Sequence, residues 1–181
     1  MNNLTINCQL STVNSNQRIA LMSCCAPCSA GAIKELAAGG RDFIVLFYNP
    51  NIFPRAEYDR RLDEQIKLCE KLGVKFAFTN YDHEKWLAAV KGHEQAPEHG
   101  SRCELCFRMR LAYGAKWAKQ NGYDKITSVF GVSAHKDNNQ VLRAANDAAK
   151  NEYVNIDFPY APEPDSYRQK YCGCEFSETY R

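Results

Sequence analysis

The sequence has no apolar run that approaches the length of a membrane span, and it has no large excess of either charge. Its 181 residues contain 23 Lys and Arg against 21 Asp and Glu, which gives a net charge of +2. Residues 1–17 are polar and lack the apolar segment of a signal peptide. These absences argue against a membrane-spanning, secreted or globally basic nucleic-acid-binding protein, although a local basic patch remains open. We expect a cytoplasmic protein with a polar, mobile tail over residues 1–17.

The nine cysteines do not follow the pattern of a small disulfide-stabilised protein. Their number is odd, and most of them come in tight groups rather than spread along loops. In a reducing compartment, such groups indicate metal binding or thiol catalysis. Two cysteines stand apart from the groups. Cys8 lies in the tail and is interpreted as a free thiol, and Cys69 is interpreted as a small core residue of a helix.

Cys24, Cys25 and Cys28 follow directly after an apolar run. That run predicts a buried strand over residues 18–23, and residues 29–38 predict a helix. The three thiols should then lie at the strand-to-helix turn, where α/β sheets place their ligands. The partial positive charge at a helix N-terminus also favours thiolate over thiol. We interpret this group as the anchor of a metal centre.

Strands and helices alternate along the rest of the chain, which predicts a right-handed, doubly wound and mostly parallel sheet of about five strands. We see no repeat or linker and expect one α/β domain over residues 18–181. The remaining strands are predicted at 42–48, 74–78, 126–129 and 153–158. The remaining helices are predicted at 55–72, 84–90, from Cys103 to about 120, and 140–150. The helix predicted over residues 55–72 should bury Leu62, Ile66 and Cys69 on one stripe.

A second pair of thiols, Cys103 and Cys106, lies three residues apart at the start of a predicted helix. With Cys24 and Cys25 it makes four thiolates from two segments, which suits either tetrahedral zinc or a 4Fe-4S cluster. Adjacent cysteine side chains should diverge, which favours the cluster over one tetrahedral ion. Cys28 is left over, and it either completes a second metal site or remains an unbound thiol.

Cys172-Gly173-Cys174 near the end of the chain has a different chemistry. The glycine permits a tight turn, so the two sulfurs can close on each other in a small, strained ring that is easily reduced. Such a pair can pass two electrons where a cluster passes one. The alternative interpretation is metal ligation without a redox cycle.

Basic and aromatic residues lie near the cysteine groups in the sequence and could form a rim that holds phosphate and stacks bases. Ordinary solvated charge is the alternative for each of them. They are Arg102, Arg108, Arg110, His135, Lys136, Tyr167, Arg168, Lys170 and Tyr171. His93 and His99 are interpreted as loop residues rather than metal ligands.

Five segments together resemble the cobalamin-independent epoxyqueuosine reductases, the QueH family. They run from residue 24 to residue 177, and the first, third and last are specific only in combination. The segments are Cys24-Cys25-Ala26-Pro27-Cys28; Tyr48-Asn49-Pro50-Asn51-Ile52 with Pro54, Glu57, Tyr58 and Arg61; Arg102-Cys103-Glu104-Leu105-Cys106 with Arg110 and Leu111; Thr127-Ser128 with Ser133, Lys136 and Gln140; and Tyr171-Cys172-Gly173-Cys174 with Ser177.

The resemblance implies a fold of the Rossmann-like (HUP-type) superfamily and reduction of the epoxide of epoxyqueuosine, in the tRNA anticodon wobble position, to queuosine. This is the last step of queuosine biosynthesis. It also implies a 4Fe-4S cluster on Cys24, Cys25, Cys103 and Cys106, and a redox-active Cys172–Cys174 pair. The pair Ala134-His135 departs from the family pattern, which puts local substrate contacts in doubt. An unidentified electron donor must supply the reductant, and our hypothesis is that electrons reach the epoxide at a second metal, a mononuclear iron, beside Cys28.

Three other functions remain open at this point. An adenylating tRNA-thiolation enzyme would carry a glycine-rich phosphate loop after the first strand, but here Pro27 removes an N–H group and no glycine is present. A zinc-stapled nucleic-acid-binding domain would use the thiols only for structure. A thiol–disulfide exchange protein would act on other proteins without any metal.

Overall fold

The computed structural model describes residues 17–133, 135–150, 153–154 and 167–177. Four parallel strands form one sheet within these residues. They are β1 (Ile19–Ser23), β2 (Phe43–Phe47), β3 (Lys75–Phe78) and β4 (Lys125–Ser128), arranged in the order β3-β2-β1-β4. β1 and β2 are almost fully buried, as expected for parallel strands that are covered on both faces. The predicted parallel α/β architecture is therefore confirmed.

Five helices cover the sheet in the described part of the chain. They are α1 (Ala26–Ala38), α2 (Arg55–Leu72), α3 (His83–Val90), α4 (Ser101–Gln120) and α5 (Asn138–Ala149), with a short 3-10 turn at Phe130–Val132. α1 packs against α2, and α4 packs against α5. The right-handed crossover rule accounts for this division, because the strand order turns back between β1 and β4 and sends the later helices to the opposite face. The carboxyl ends of β1 and β4 thus form the switch point where open α/β sheets bind ligands.

The first residues of α1, α4 and α5 differ from the sequence prediction by two or three positions. α1 begins at Ala26, three residues earlier than expected, because Pro27 lies in its first turn, where a missing N–H group costs no hydrogen bond. α5 begins at Asn138, where the Asp137 side chain caps it by accepting a hydrogen bond from the backbone N–H of Asn139. Cys28 consequently lies inside α1 rather than before it.

The buried face of α2 was predicted wrongly in part. Cys69 is buried as expected, but Leu62 and Ile66 are only half-buried. Arg61 and Gln65 occupy the buried face instead, although both are polar. Hydrophobic periodicity assigns polar side chains to solvent. It therefore fails where buried hydrogen-bonding partners come from elsewhere in the chain.

The fifth predicted strand falls mostly outside the described residues, as does the tail before Gln17. Tyr153 forms an isolated parallel bridge with Ile126 of β4, and the N–H of Val154 donates to the Ile126 carbonyl at 2.8 Å. The chain thus begins to pair with β4 where a strand was predicted. The assignment of residues 18–181 to one domain stays a prediction. In the described residues, no helix combines the length and hydrophobicity that crossing a bilayer requires.

Close packing between α4 and β1 depends on a glycine. A Cβ atom at Gly114 would lie 2.1 Å from Sδ of Met22, whose side chain is fully buried in β1. The missing side chain therefore lets α4 approach the strand that leads into the cysteine group.

We expect Gly114→Ala to destabilise the fold by about 1–3 kcal/mol, because Met22 would have to move within a packed core. At an exposed helix position the same change would stabilise the protein by about 1 kcal/mol. Urea unfolding measures the effect, and a double-mutant cycle with Met22→Ala supplies the control. The double variant should lose clearly less stability than the sum of the single variants. Additive losses would show that Gly114 and Met22 do not press against each other.

Candidate metal centre and redox pair

Cys24, Cys25 and Cys28 converge at the carboxyl end of β1. Their sulfurs all lie within 4.8 Å of one another, and all three side chains are buried. The sulfurs of Cys24 and Cys25 are 3.8 Å apart. Metal–sulfur bonds of about 2.3 Å give a tetrahedron whose edge is also about 3.8 Å. The adjacent side chains thus converge rather than diverge as expected, and the group has the dimensions of a site for a thiophilic metal ion.

Polar residues buried under the turn hold these cysteines in place. Gln65 of α2 accepts hydrogen bonds through Oε1 from the hydroxyl of Ser23 at 2.6 Å and that of Ser29 at 3.0 Å. Asn49, which follows β2, donates to the Ser23 carbonyl at 2.9 Å. Because the residues before and after the cysteines are fixed in this way, the three sulfurs are preorganised.

The protonation of the three thiols is unequal. Hydrogen bonds from Cys25 and Cys28 lower the pKa of Cys24 well below its usual range. Burial raises the pKa of Cys25, and the interaction with Cys24 raises that of Cys28 to about 12. Cys24 therefore carries the negative charge of the group in the absence of metal. Nζ of Lys136 lies 3.6 Å from its sulfur.

Four further cysteines line one small cavity on the same edge of the sheet. Cys103 and Cys106 lie in the first turns of α4, and Cys172 and Cys174 come from the end of the chain. Burial raises the pKa of Cys103 to about 11 and also raises that of Cys106. The sequence-predicted pairs 103/106 and 172/174 are therefore brought together.

Two buried cations, Arg110 and Lys136, connect this cavity with the first cysteine group. Both line the cavity, and the positive charge of each lowers the pKa of Cys24. Burial raises the pKa of Cys106, and the positive charge of Arg110 opposes part of that increase. Burial alone would lower the pKa of Lys136, but the neighbouring cysteine group, Cys24 above all, raises it.

The described residues include no carboxylate that pairs with Arg110 or Lys136. Arg110 instead donates to the Asn49 side chain and the Tyr48 carbonyl and lies over the ring of Phe130, with its guanidinium carbon 3.8 Å from the centroid. A buried charge without an opposite charge costs several kcal/mol. The nearby thiolates are the groups that can balance these cations.

These observations fit a metal centre bound by thiolates, and an iron–sulfur cluster is one such centre. Four thiolates around a 4Fe-4S core carry net negative charge, and Arg110 and Lys136 are positioned to offset it. The donor set is dominated by sulfur, which favours zinc or iron–sulfur centres over hard cations. The cysteine cluster supports metal binding, whereas the ligand set Cys24, Cys25, Cys103 and Cys106 stays a prediction.

The Cys172-Gly173-Cys174 turn has the tight geometry that the sequence predicted. Gly173 has φ +109°, and a Cβ there would lie 2.8 Å from Cγ1 of Ile52, so another residue would be strained and crowded. Both cysteines are free thiols. A hydrogen bond from Cys174 lowers the pKa of Cys172 to about 6, and the same interaction raises that of Cys174. Cys172 therefore loses its proton more readily than Cys174, which makes it the better nucleophile of the two.

Residues 167–177, which we call the strap, are fastened to α2 and to the loop before it. Arg61 is 1 % exposed and donates to the carbonyls of Tyr171 at 3.2 Å and Cys172 at 3.3 Å. Its Nε also bonds Oε1 of Glu57 at 2.7 Å. The N–H of Phe53 donates to the Gly173 carbonyl at 2.8 Å. The backbone of the Cys172-Gly173-Cys174 turn is therefore held in part by a buried ion pair of α2.

The predicted basic rim is wrong for several of its members. Arg102, Arg110 and Lys136 are buried, and their heads bond carbonyl groups or face the thiols. Arg108 is exposed but paired with Asp147 at 2.8 Å. Arg168 and Lys170 are exposed on the strap, as a rim would require.

Three of the four histidines divide between the cavity and the surface. His99 and His135 line the cavity, whereas His93 bonds the hydroxyl of Ser101 at 2.7 Å. His99 has φ +62°, and its carbonyl accepts a hydrogen bond from Gln140 at 2.6 Å. The interpretation of His99 as a loop residue did not predict that it lines the cavity. The sequence indicates this only through the position of His99 four residues before Cys103.

The model of one protein family, described as "Epoxyqueuosine reductase QueH", matches residues 19–180. Curated relatives with the same name are similar over most of the chain. The relative from Histophilus somni is 37 % identical, and the one from Haemophilus influenzae is 36 % identical, each over 93 % of this chain and 75 % of the relative. The relative from Dehalococcoides mccartyi is 32 % identical over 89 % of this chain and 92 % of its own.

A solved structure with a related arrangement is the U34-tRNA thiolase NcsA from Methanococcus maripaludis with its 4Fe-4S cluster. The TM-score is 0.48 and the identity 14 %, over 64 % of this chain and 38 % of the thiolase. This similarity is too low to support a conclusion about the present chain.

We expect Arg61→Met to destabilise the protein by about 3–5 kcal/mol, because it leaves Glu57 buried without its partner. For a domain of this size, that loss lowers the melting temperature by roughly 10 °C. Circular dichroism melting measures it. The matched control is Arg60→Met, because Arg60 is exposed and 4.0 Å from the same carboxylate, and its loss should cost at most about 1 kcal/mol. Equal losses in the two variants would contradict a special role for Arg61.

Proposed function

The chain belongs to the epoxyqueuosine reductase QueH family, and from this premise we propose that it reduces the epoxide of epoxyqueuosine in the tRNA anticodon wobble position to queuosine. The observation that carries the proposal is the cavity at the switch point of the sheet, where two pairs of thiols meet two buried cations. Buried thiols beside cations suit both metal binding and thiol redox chemistry. Neither chemistry requires a glycine-rich phosphate loop, which the chain lacks after β1.

The cofactor that we propose is a 4Fe-4S cluster held by Cys24, Cys25, Cys103 and Cys106. When bound, such a cluster supplies single electrons at low potential. Cys28 remains free in this assignment, and we propose that it holds a second metal, a mononuclear iron, which would act as a Lewis acid toward the epoxide oxygen. The sulfur of Cys28 lies within 4.8 Å of those of Cys24 and Cys25, so an ion bound by Cys28 would lie directly beside the proposed cluster.

Cys172 and Cys174 of the strap can together supply both electrons that the reaction needs. Conversion of an epoxide to an alkene breaks two C–O bonds, forms the second C–C bond and releases the oxygen as water, which takes two electrons and two protons. Oxidation of the Cys172 thiolate and the Cys174 thiol to a disulfide provides two electrons and one proton. The second proton comes from Nζ of Lys136, so the reaction balances. An external donor, which remains unidentified, must then reduce the disulfide.

Buried cations support this chemistry in two ways. Arg110 and Lys136 stabilise negative charge on the sulfurs that surround the cavity. Lys136 also keeps a proton on Nζ, because the neighbouring cysteines raise its pKa, and it can donate that proton to the departing oxygen. Arg168 and Lys170 are exposed on the strap and could bind phosphates of the anticodon loop beside the cavity.

Replacement of Cys25 with alanine should abolish turnover and remove the visible iron–sulfur absorbance, because the cluster loses a ligand. Anaerobic purification followed by iron analysis and an absorbance spectrum measures both. Cys69→Ala is the matched control, since Cys69 is a buried thiol bonded to Gln65 outside the cysteine groups. It should retain colour and activity. An active and colourless Cys25→Ala protein would refute the cluster assignment.

Replacement of Cys174 with alanine should stop turnover while iron content and the visible spectrum stay at the parent level. Cys172 would keep its thiolate but would have no partner with which to form a disulfide. The measurement is queuosine formation in tRNA under reducing conditions, together with the absorbance spectrum. If this variant retains full activity, the pair lies outside the electron path and metal-dependent reduction alone must account for the reaction.

A further inference from the structure

Gln169 of the strap contacts the first cysteine group directly. Its Nε2 lies 3.0 Å from the sulfur of Cys25 and 3.4 Å from that of Cys28. The contacts join residues more than 140 positions apart in the chain. They arise only because the strap folds back over the carboxyl end of β1. Three residues further along the same strap lies Cys172.

The orientation of the Gln169 amide has a simple chemical reason. A side-chain amide has two N–H donors on its nitrogen, one for each sulfur, whereas its oxygen only accepts. Thiolates that bind a metal also only accept. The opposite orientation would place oxygen lone pairs against two sulfurs. The nitrogen-inward arrangement therefore suits sulfurs that act as anionic metal ligands.

Oε1 of the same amide is buried and has no hydrogen-bond partner among the residues that the structure describes. Buried polar atoms usually have a hydrogen-bond partner, and a buried polar atom without one costs about 1–3 kcal/mol. The amide nevertheless keeps its nitrogen on the sulfurs. The hydrogen bonds from N–H to sulfur must therefore offset the cost of the unpaired oxygen, and they can do so toward anionic sulfur because such bonds are stronger than neutral ones.

We propose that Gln169 is a positioning residue of the metal centre: its amide donates N–H hydrogen bonds to the sulfurs of Cys25 and Cys28 and thereby raises the reduction potential of the centre. Hydrogen bonds to ligand sulfurs withdraw electron density and stabilise the reduced state. The same contacts fix the strap, and with it Cys172 and Cys174, over the metal centre. This inference rests on the proposed function, because it takes Cys25 as a cluster ligand.

The test compares reduction potentials in the anaerobically purified, iron-loaded full-length protein. Gln169→Leu removes both donors at nearly constant volume, and Gln169→Glu replaces them with a carboxylate of the same shape. Gln120→Leu is the matched control, because Gln120 is exposed at the far end of α4. Redox titration monitored by electron paramagnetic resonance gives the potential, and iron analysis gives the occupancy.

We expect Gln169→Leu to shift the midpoint to lower potential, so that the ratio of reduced to oxidised centres falls about fivefold at the parent's midpoint, equivalent to one hydrogen bond of ordinary strength. Gln169→Glu should shift it further, and Gln120→Leu should match the parent. If Gln169→Leu fails to hold iron, Gln169→Met, which is also neutral and lacks both donors, takes its place in the same measurement. A merely structural role would lower melting temperature or iron content without moving the potential.

The outcomes separate this inference from the proposed function. Normal iron–sulfur absorbance in the parent, with the same potential in Gln169→Leu, would overturn the inference alone. A shift in Gln169→Glu without one in Gln169→Leu would also overturn it, because it would reflect added charge rather than a lost hydrogen bond. A parent protein without iron–sulfur absorbance would overturn the proposed cofactor and this inference with it.

Discussion

The balance of charge between buried thiolates and two buried cations is the constraint on which the site depends. Arg110 and Lys136 lie in the interior with no carboxylate partner among the described residues. Their charge would be costly to bury unless anionic sulfur lay beside it. The cations in turn stabilise the thiolates. Burial alone raises the pKa of a thiol and so disfavours the thiolate form that binds metal. Bound metal and its thiolates would therefore stabilise the cations, and the cations would stabilise the anionic centre.

The fold supplies this balance from separate elements that meet at one edge of the sheet. β1 delivers the first cysteines, α4 contributes the second pair together with Arg110, and the loop after β4 brings Lys136. The strap adds Cys172 and Cys174, the proposed redox thiols, and is held by the buried Arg61–Glu57 pair of α2. Helices and strands position most of the candidate metal ligands, and hydrogen bonds from Arg61 and Phe53 hold the strap with its dithiol in place. That arrangement suits a reaction in which two electrons must arrive together with protons.

Much of the architecture could be predicted from local sequence patterns. Apolar runs located the described strands, and the spacing of the cysteines marked each thiol group, because both signals are contained within a few neighbouring residues. The buried polar network was not predictable in this way. Arg61 and Gln65 look like solvent-facing residues of a charged helix, yet their partners lie about 110 and 42 positions away in the sequence. The prediction of a basic rim was wrong in part for the same reason. Proximity to cysteines in the sequence does not reveal whether an arginine faces solvent or a buried sulfur.

Membership of the epoxyqueuosine reductase QueH family agrees with the thiol-rich site, and the central claim is that this site holds an iron–sulfur cluster. The most direct test is anaerobic purification followed by an absorbance spectrum and counts of iron, zinc and acid-labile sulfide. The account predicts a brown protein with about four irons per chain or more, and about four sulfides. A colourless protein with about one zinc per chain would contradict it. In that case the three closely spaced thiols would be the ligands of a structural ion.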